Sequence, residues 1–178
     1  MSGHNKWSQI KNKKGAEDAK KSSEFGKLSR LITVEVKKAD GNENSPGVRG
    51  AIERARRVNM PADNILRAVA RGKSKDSAEL LEVLYEAYGP GGAALIIHGF
   101  TDNKNRTGAE IKHLLAEYGG TLAGQGAAAW AFSRDGNAWT PKELLPVGDA
   151  DKEKIKSLVL ALEENEDVQS VFVNVSLS

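Results

Sequence analysis

The sequence predicts an α+β protein of 178 residues in two parts: a basic three-helix domain over residues 1–76 and an acidic domain over 77–178. The second part reads as a small α/β sandwich, one mainly antiparallel sheet covered by two helices. Two observations carry this. Apolar residues recur every three to four positions before about residue 76, whereas after it a spacing of two also appears. The charge changes sign at the same place. Residues 1–75 hold 18 Lys and Arg against 8 Asp and Glu, a balance of +10, while residues 76–178 hold 8 against 16, a balance of −8.

In chain order, the first helix is expected over Gly15–Ala39. Phe25, Leu28, Ile32, Val36 and Ala39 form one stripe, and Lys20, Lys27, Arg30, Lys37 and Lys38 fall opposite it at 100° per residue. Residues 2–14 precede it as a tail, which if extended reaches on the order of 40 Å at about 3.3 Å per residue. "DGNENSPG" ends the helix, with Ser45 as N-cap and Pro46 at the first position of the next. That second helix turns Val48, Ala51, Ile52 and Ala55 inward and Arg49, Arg56 and Arg57 outward. A third starts after Pro61, buries Ile65, Ala68 and Val69, and stops at Gly72. Short loops between three helices imply a compact helical unit.

"GKSKDS" is a polar linker. Residues 81–88 and 93–100 read as strands around the turn "YGPGG". Residues 104–118 form a helix with Ile111, Leu114, Leu115 and Tyr118 on one side; Thr107 and Glu110 have capping-box spacing, with an earlier start of the helix as the alternative. "AAAWAF" is expected as a strand. A helix over 151–164 buries Ile155, Leu158, Val159 and Leu162, and "VQSVFVNVSL" closes the chain as a strand with Val171, Val173 and Val175 on one side.

Composition argues against most chemistries. Cysteine is absent, so there is no disulfide framework, thiolate metal site or cysteine nucleophile, in keeping with a reducing cytoplasm. The first residues lack an apolar signal core, and no run approaches the roughly 18 apolar residues of a membrane span. His4, His98 and His113 are scattered without metal-ligand spacing. "GPGG" and "GGTLAGQG" lack the Walker lysine and the strand, GxGxxG and helix order of a dinucleotide site, so they read as turns. No nucleophile motif or isolated carboxylate pair appears. The expectation is a non-enzymatic protein with no catalytic residues, cofactor or metal.

The basic excess points to a polyanion. A lysine-rich helix face is often only a solvated surface, but here the excess sits in one module and an aromatic residue is embedded in "SGHNKWSQIKNKKGAEDAKK". Lysine and arginine bind phosphates with counterion release, and Trp7 can stack on a base or pack on the helices. The expected nucleic-acid-binding residues are Lys6, Trp7, Lys11, Lys13, Lys14, Lys20, Lys27, Arg30, Arg49, Arg56 and Arg57. With no apolar anchor beside these cations, a membrane surface is not the expected partner.

That opening segment, with "RGAIERARRVNMPADNILRAV", "YEAYGPGGAALIIHGFTDNKNRTGAEIKHLL" and "GGTLAGQGAAAWAF", resembles the successive signature segments of the YebC/PmpR family. The family includes the mitochondrial translational activator of cytochrome oxidase. The resemblance implies an N-terminal three-helix domain joined to α/β domains. It also implies regulation of gene expression, described either as DNA-binding transcription regulation or as ribosome-associated help through proline-rich stretches. On this footing the expected partner is the ribosome or rRNA, with duplex DNA as the alternative. The chain departs from the family pattern in one respect: the third domain inserted within the second is missing near residues 133–141.

Overall fold

The computed structural model describes the backbone from His4 onward and side chains from Lys14 onward. The chain divides into two compact units, residues 1–78 and 79–178.

The first unit holds helices α1 (His4–Lys38), α2 (Pro46–Arg57) and α3 (Ala62–Lys73). Leu28, Ile32 and Val36 of α1 meet Val48, Ala51 and Ala55 of α2 and Ile65, Ala68 and Val69 of α3 in one apolar core. Burying an aliphatic side chain such as Ile32 contributes about 1.5–3 kcal/mol relative to leaving it exposed. Ser45 caps α2, its hydroxyl accepting from the Val48 N–H at 3.3 Å. Both α1 and α2 end in the same device. Asp40 and Asn59 take positive φ, and the next residues, Gly41 and Met60, donate back to the carbonyls of Val36 and Ala55.

The first helix corrects the expected extended tail. Helix α1 begins at His4 and runs for 35 residues, about 50 Å at 1.5 Å per residue. Lys, Gln and Ile between His4 and Lys14 are compatible with helix, and Gly15, read as a boundary, is an interior position that lowers helix propensity without breaking it. Among the described residues of α1, the part from Phe25 onward packs into the core, and Lys14 to Ser22 are all exposed.

In the second unit, β1 (Leu81–Tyr88), β2 (Ala94–Thr101), β3 (Thr121–Ala123) and β6 (Val168–Val173) form an antiparallel sheet in the order β3-β1-β2-β6. Helices α4 (Lys104–Glu117) and α5 (Asp149–Glu164) cover one face, where Ile111, Leu115, Leu158 and Leu162 pack on Ala87, Leu95 and Ile97. The opposite face is covered by a 3₁₀ turn at Ala129–Ala131 and a hairpin, β4 (Phe132–Asp135) with β5 (Ala138–Pro141).

Three further expectations are corrected here. "AAAWAF" is not a strand: the backbone N–H groups of Ala128 and Ala129 point to the Glu86 carboxylate and so cannot enter a ladder. Asn103, not Thr107, caps α4, accepting from the Arg106 N–H at 3.0 Å. Thr107 instead turns inward and donates to Asp167 at 2.6 Å. The closing strand stops at Val173, and Val175 lies beyond it in a separate cluster with Ala93 and Ile155.

Candidate nucleic-acid interface

Helix α2 presents its cations because its apolar stripe fixes its rotation. With Val48, Ala51 and Ala55 buried, Arg49 and Arg56, seven residues apart, come to one exposed side. Neither forms an ion pair among the described residues. Arg57 is exposed too, but its guanidinium reaches Glu53 at 2.6 Å one turn back. Such an exposed pair adds little stability, and it partly neutralises Arg57 as a phosphate ligand.

On α1, Lys14 and Lys20 are exposed, whereas Lys27 and Arg30 are half-buried and already engaged with other groups. The helical projection of α1 placed Lys20, Lys27 and Arg30 alike, yet the two near the core are less available than the lysine in the first part of the helix. The side chains of Lys6, Trp7, Lys11 and Lys13 lie outside the described residues.

The helical unit also exposes basic residues that the sequence pattern did not single out. Arg54 lines an open groove of about 420 Å³ between α1 and α2, with Leu31, Glu35, Gly50 and Arg57 among its walls. On α3, Arg67 and Arg71 are exposed. Arg67 donates to Asn64, and Lys73 pairs with Glu43. The signal for Arg67 and Arg71 was present in the pattern, since they flank the buried stripe of Ile65, Ala68 and Val69.

The second unit carries a different kind of polar site. Asp167, buried beside β6, accepts from Thr107 Oγ1 at 2.6 Å, Arg106 Nη2 at 2.9 Å and Thr101 Oγ1 at 3.2 Å. The bond to Asp167, and next that to Asp102, hold the Arg106 guanidinium even more firmly protonated than usual. Burial and then the Asp167 charge push the Tyr85 phenol up. The two threonine hydroxyls and Arg106 Nη2 are used within the fold, so the cluster ties α4 to the start of β6. His98 stands on an interior strand, 2.7 Å from Glu82 and edge-on to Phe100. Among the described residues no three His, Cys, Asp or Glu side chains converge as metal ligands, and no helix is long and apolar enough to cross a membrane.

Fold and surface thus define a two-unit protein, a basic helical module followed by an acidic α+β module. The comparisons make this particular. The description "TACO1/YebC protein N-terminal domain" matches residues 5–75, and "TACO1/YebC second and third domain" matches residues 80–138. The chain belongs to the TACO1/YebC family. A "probable transcriptional regulatory protein" of Petrotoga mobilis is 49% identical over 145 residues, 80% of this chain but 58% of the relative. One of the same description from Thermosipho melanesiensis is 35% identical over 235 residues, covering 98% of this chain and 93% of its own length. That alignment is longer than this 178-residue chain, so the relative holds additional sequence inside the matched span. The crystal structure of the conserved hypothetical protein Aq1575 from Aquifex aeolicus superposes with a TM-score of 0.83 at 26% identity, covering 89% of this chain and 91% of that one. The chain spans a little under three fifths of the length of the Petrotoga relative.

Proposed function

We propose that this chain is a non-enzymatic regulator of gene expression that binds nucleic acid through its helical unit, with ribosomal RNA as the first target. The observation that carries the reading is the confinement of the +10 balance to residues 1–75, with Lys14, Lys20, Arg49 and Arg56 exposed there. Phosphate neutralisation by such cations is sequence-independent and salt-dependent. The first part of α1 supports RNA over duplex: His4 to Glu24 is helical over about 30 Å, and its described side chains from Lys14 to Ser22 are exposed, a basic arm suited to a crevice of a folded RNA. Trp7 in this arm is proposed to stack on an unpaired base, in the service of translation through proline-rich stretches.

The second reading is duplex DNA. The relatives' printed names favour it, and so does a short, arginine-bearing α2 in a three-helix unit, the kind of element that enters a major groove. Co-sedimentation with ribosomes, run beside duplex-DNA binding at matched salt, separates the two. Ribosome binding that is the tighter supports the first reading, and tighter duplex binding replaces it with the second.

A further inference from the structure

Trp130 is 65% exposed, yet it is firmly placed. Its indole N–H donates to the Ala127 carbonyl at 2.9 Å and to the Tyr88 hydroxyl oxygen at 3.1 Å, and that hydroxyl donates to the same carbonyl. The turn that carries it is clamped by Glu86. This buried carboxylate accepts from the backbone N–H groups of Gly126, Ala128 and Ala129 at 2.6, 2.7 and 2.8 Å. Burial pushes the Glu86 carboxyl up, but the three N–H bonds together outweigh it and hold the group below its ordinary value, so the clamp is ionised at neutral pH. An indole whose polar edge is satisfied inside the fold has only its ring to offer outward. Its own loop leaves most of the ring open: apart from Gln125, the residues from Gly124 to Ala129 carry at most a methyl group.

We propose that Trp130 anchors a docking surface for a cationic segment of another protein, its ring face receiving an arginine side chain. Charge complementarity selects this occupant. Residues 76–178 have a balance of −8, which attracts a basic polypeptide and repels the phosphates of a nucleic acid. The same unit holds an internal example of the contact: the Arg134 guanidinium lies over the Trp139 ring at 5.2 Å. Among the described residues no cation occupies Trp130. An exposed tryptophan already fixed by its own hydrogen bonds also has the character of a binding hot spot, since little rotamer freedom is lost when it is covered.

The test uses the whole chain and follows its three indole N–H signals by NMR, assigned with single Trp→Phe variants. The probes are an Arg-Gly repeat peptide, a Lys-Gly repeat peptide of equal charge and a uridine oligonucleotide. The Arg-Gly peptide is expected to shift the Trp130 signal selectively, and Trp130→Ala to weaken that peptide about tenfold while the variant stays folded, as the unchanged signals of the other two indoles report. Tenfold is about 1.4 kcal/mol, inside the range of a partly desolvated cation–π contact. The Lys-Gly peptide should bind more weakly. Equal binding of both peptides, or of wild type and Trp130→Ala, would leave only net charge and overturn the proposal. It is also overturned if the oligonucleotide shifts Trp130, which marks a base-stacking surface, or if raising the protein concentration alone shifts it, which marks a second copy as the occupant.

Discussion

Gly72 of α3 and Thr33 of α1 approach so closely that a methyl group on Gly72 would stand 2.7 Å from the Thr33 carbonyl oxygen. The same methyl would stand 2.7 Å from Val36 Cβ. Thr33 answers across the interface, its hydroxyl lying within hydrogen-bond distance of the Ala68 carbonyl at 3.2 Å. The lack of a side chain at residue 72 lets the two helix backbones meet and sets the depth at which α3 seats on α1.

Gly72→Ala is therefore expected to destabilise the helical unit by about 1–3 kcal/mol, the range for overpacking a tight interface. Gly26→Ala is the control with the opposite sign. A Cβ at residue 26 meets nothing within 4 Å, and alanine in a helix interior is favoured over glycine by about 0.5–1 kcal/mol. Denaturant melts of the two variants measure both signs.

In the second unit, Asp167→Ala removes one carboxylate from Thr101, Arg106 and Thr107 together. Losing the charged acceptor of Arg106 and of two buried hydroxyls costs about 1–3 kcal/mol, although Thr107 keeps the Asn103 carbonyl at 3.1 Å. Amide exchange should report it first at the start of α4 and at β6, because those are the elements the carboxylate joins. Unchanged protection there would contradict the role assigned to Asp167.

Glu86 gives the unit an acid-sensitive element. Its carboxyl is held below the ordinary value of 4.5 in the folded protein, so its contribution is complete above that value and is lost as pH falls through the lower, folded one. Glu86→Gln should destabilise at pH 7, where the charged acceptor of three N–H groups is removed. It should also flatten that part of the acid limb of the stability profile, which urea melts at several pH values would reveal.

The helical core was legible because Phe25, Leu28, Ile32 and Val36 repeat at helix spacing and no competing pattern overlies them. The helix-covered face of the sheet was legible in the same way, through Ile111, Leu115, Leu158 and Leu162. The departures share a cause, which is partners that the local pattern does not reveal. Nothing around "AAAWAF" announces that Glu86, some forty residues earlier, takes its backbone donors. Thr107 and Glu110 have capping spacing, but Asn103 four residues before Thr107 serves as cap and frees Thr107 to meet Asp167. Along α1, the projection gave Lys20 and Lys27 the same face, and only the packing of α2 and α3 onto its second half separates an exposed lysine from a half-buried one. Arg57 likewise has Glu53 as its partner, which the outward projection of α2 alone did not identify.

Charge reversal at Arg49 and Arg56 bears directly on the interface. Both are exposed, so Arg49→Glu with Arg56→Glu should leave the melting temperature nearly unchanged while weakening nucleic-acid binding. The slope of log affinity against log salt should become shallower by roughly one for each phosphate that is no longer neutralised. Arg57→Glu should have the smaller effect of the exposed arginines on α2, because Glu53 already occupies its guanidinium.

The most direct measurement is the affinity of the whole chain for ribosomes and for duplex DNA at the same salt, with the Arg49→Glu, Arg56→Glu variant run in parallel. The account predicts tighter binding to ribosomes, a steep salt dependence, and disappearance of most of that binding in the folded variant. Equal ribosome binding by wild type and variant, or duplex DNA bound more tightly than ribosomes, would contradict it.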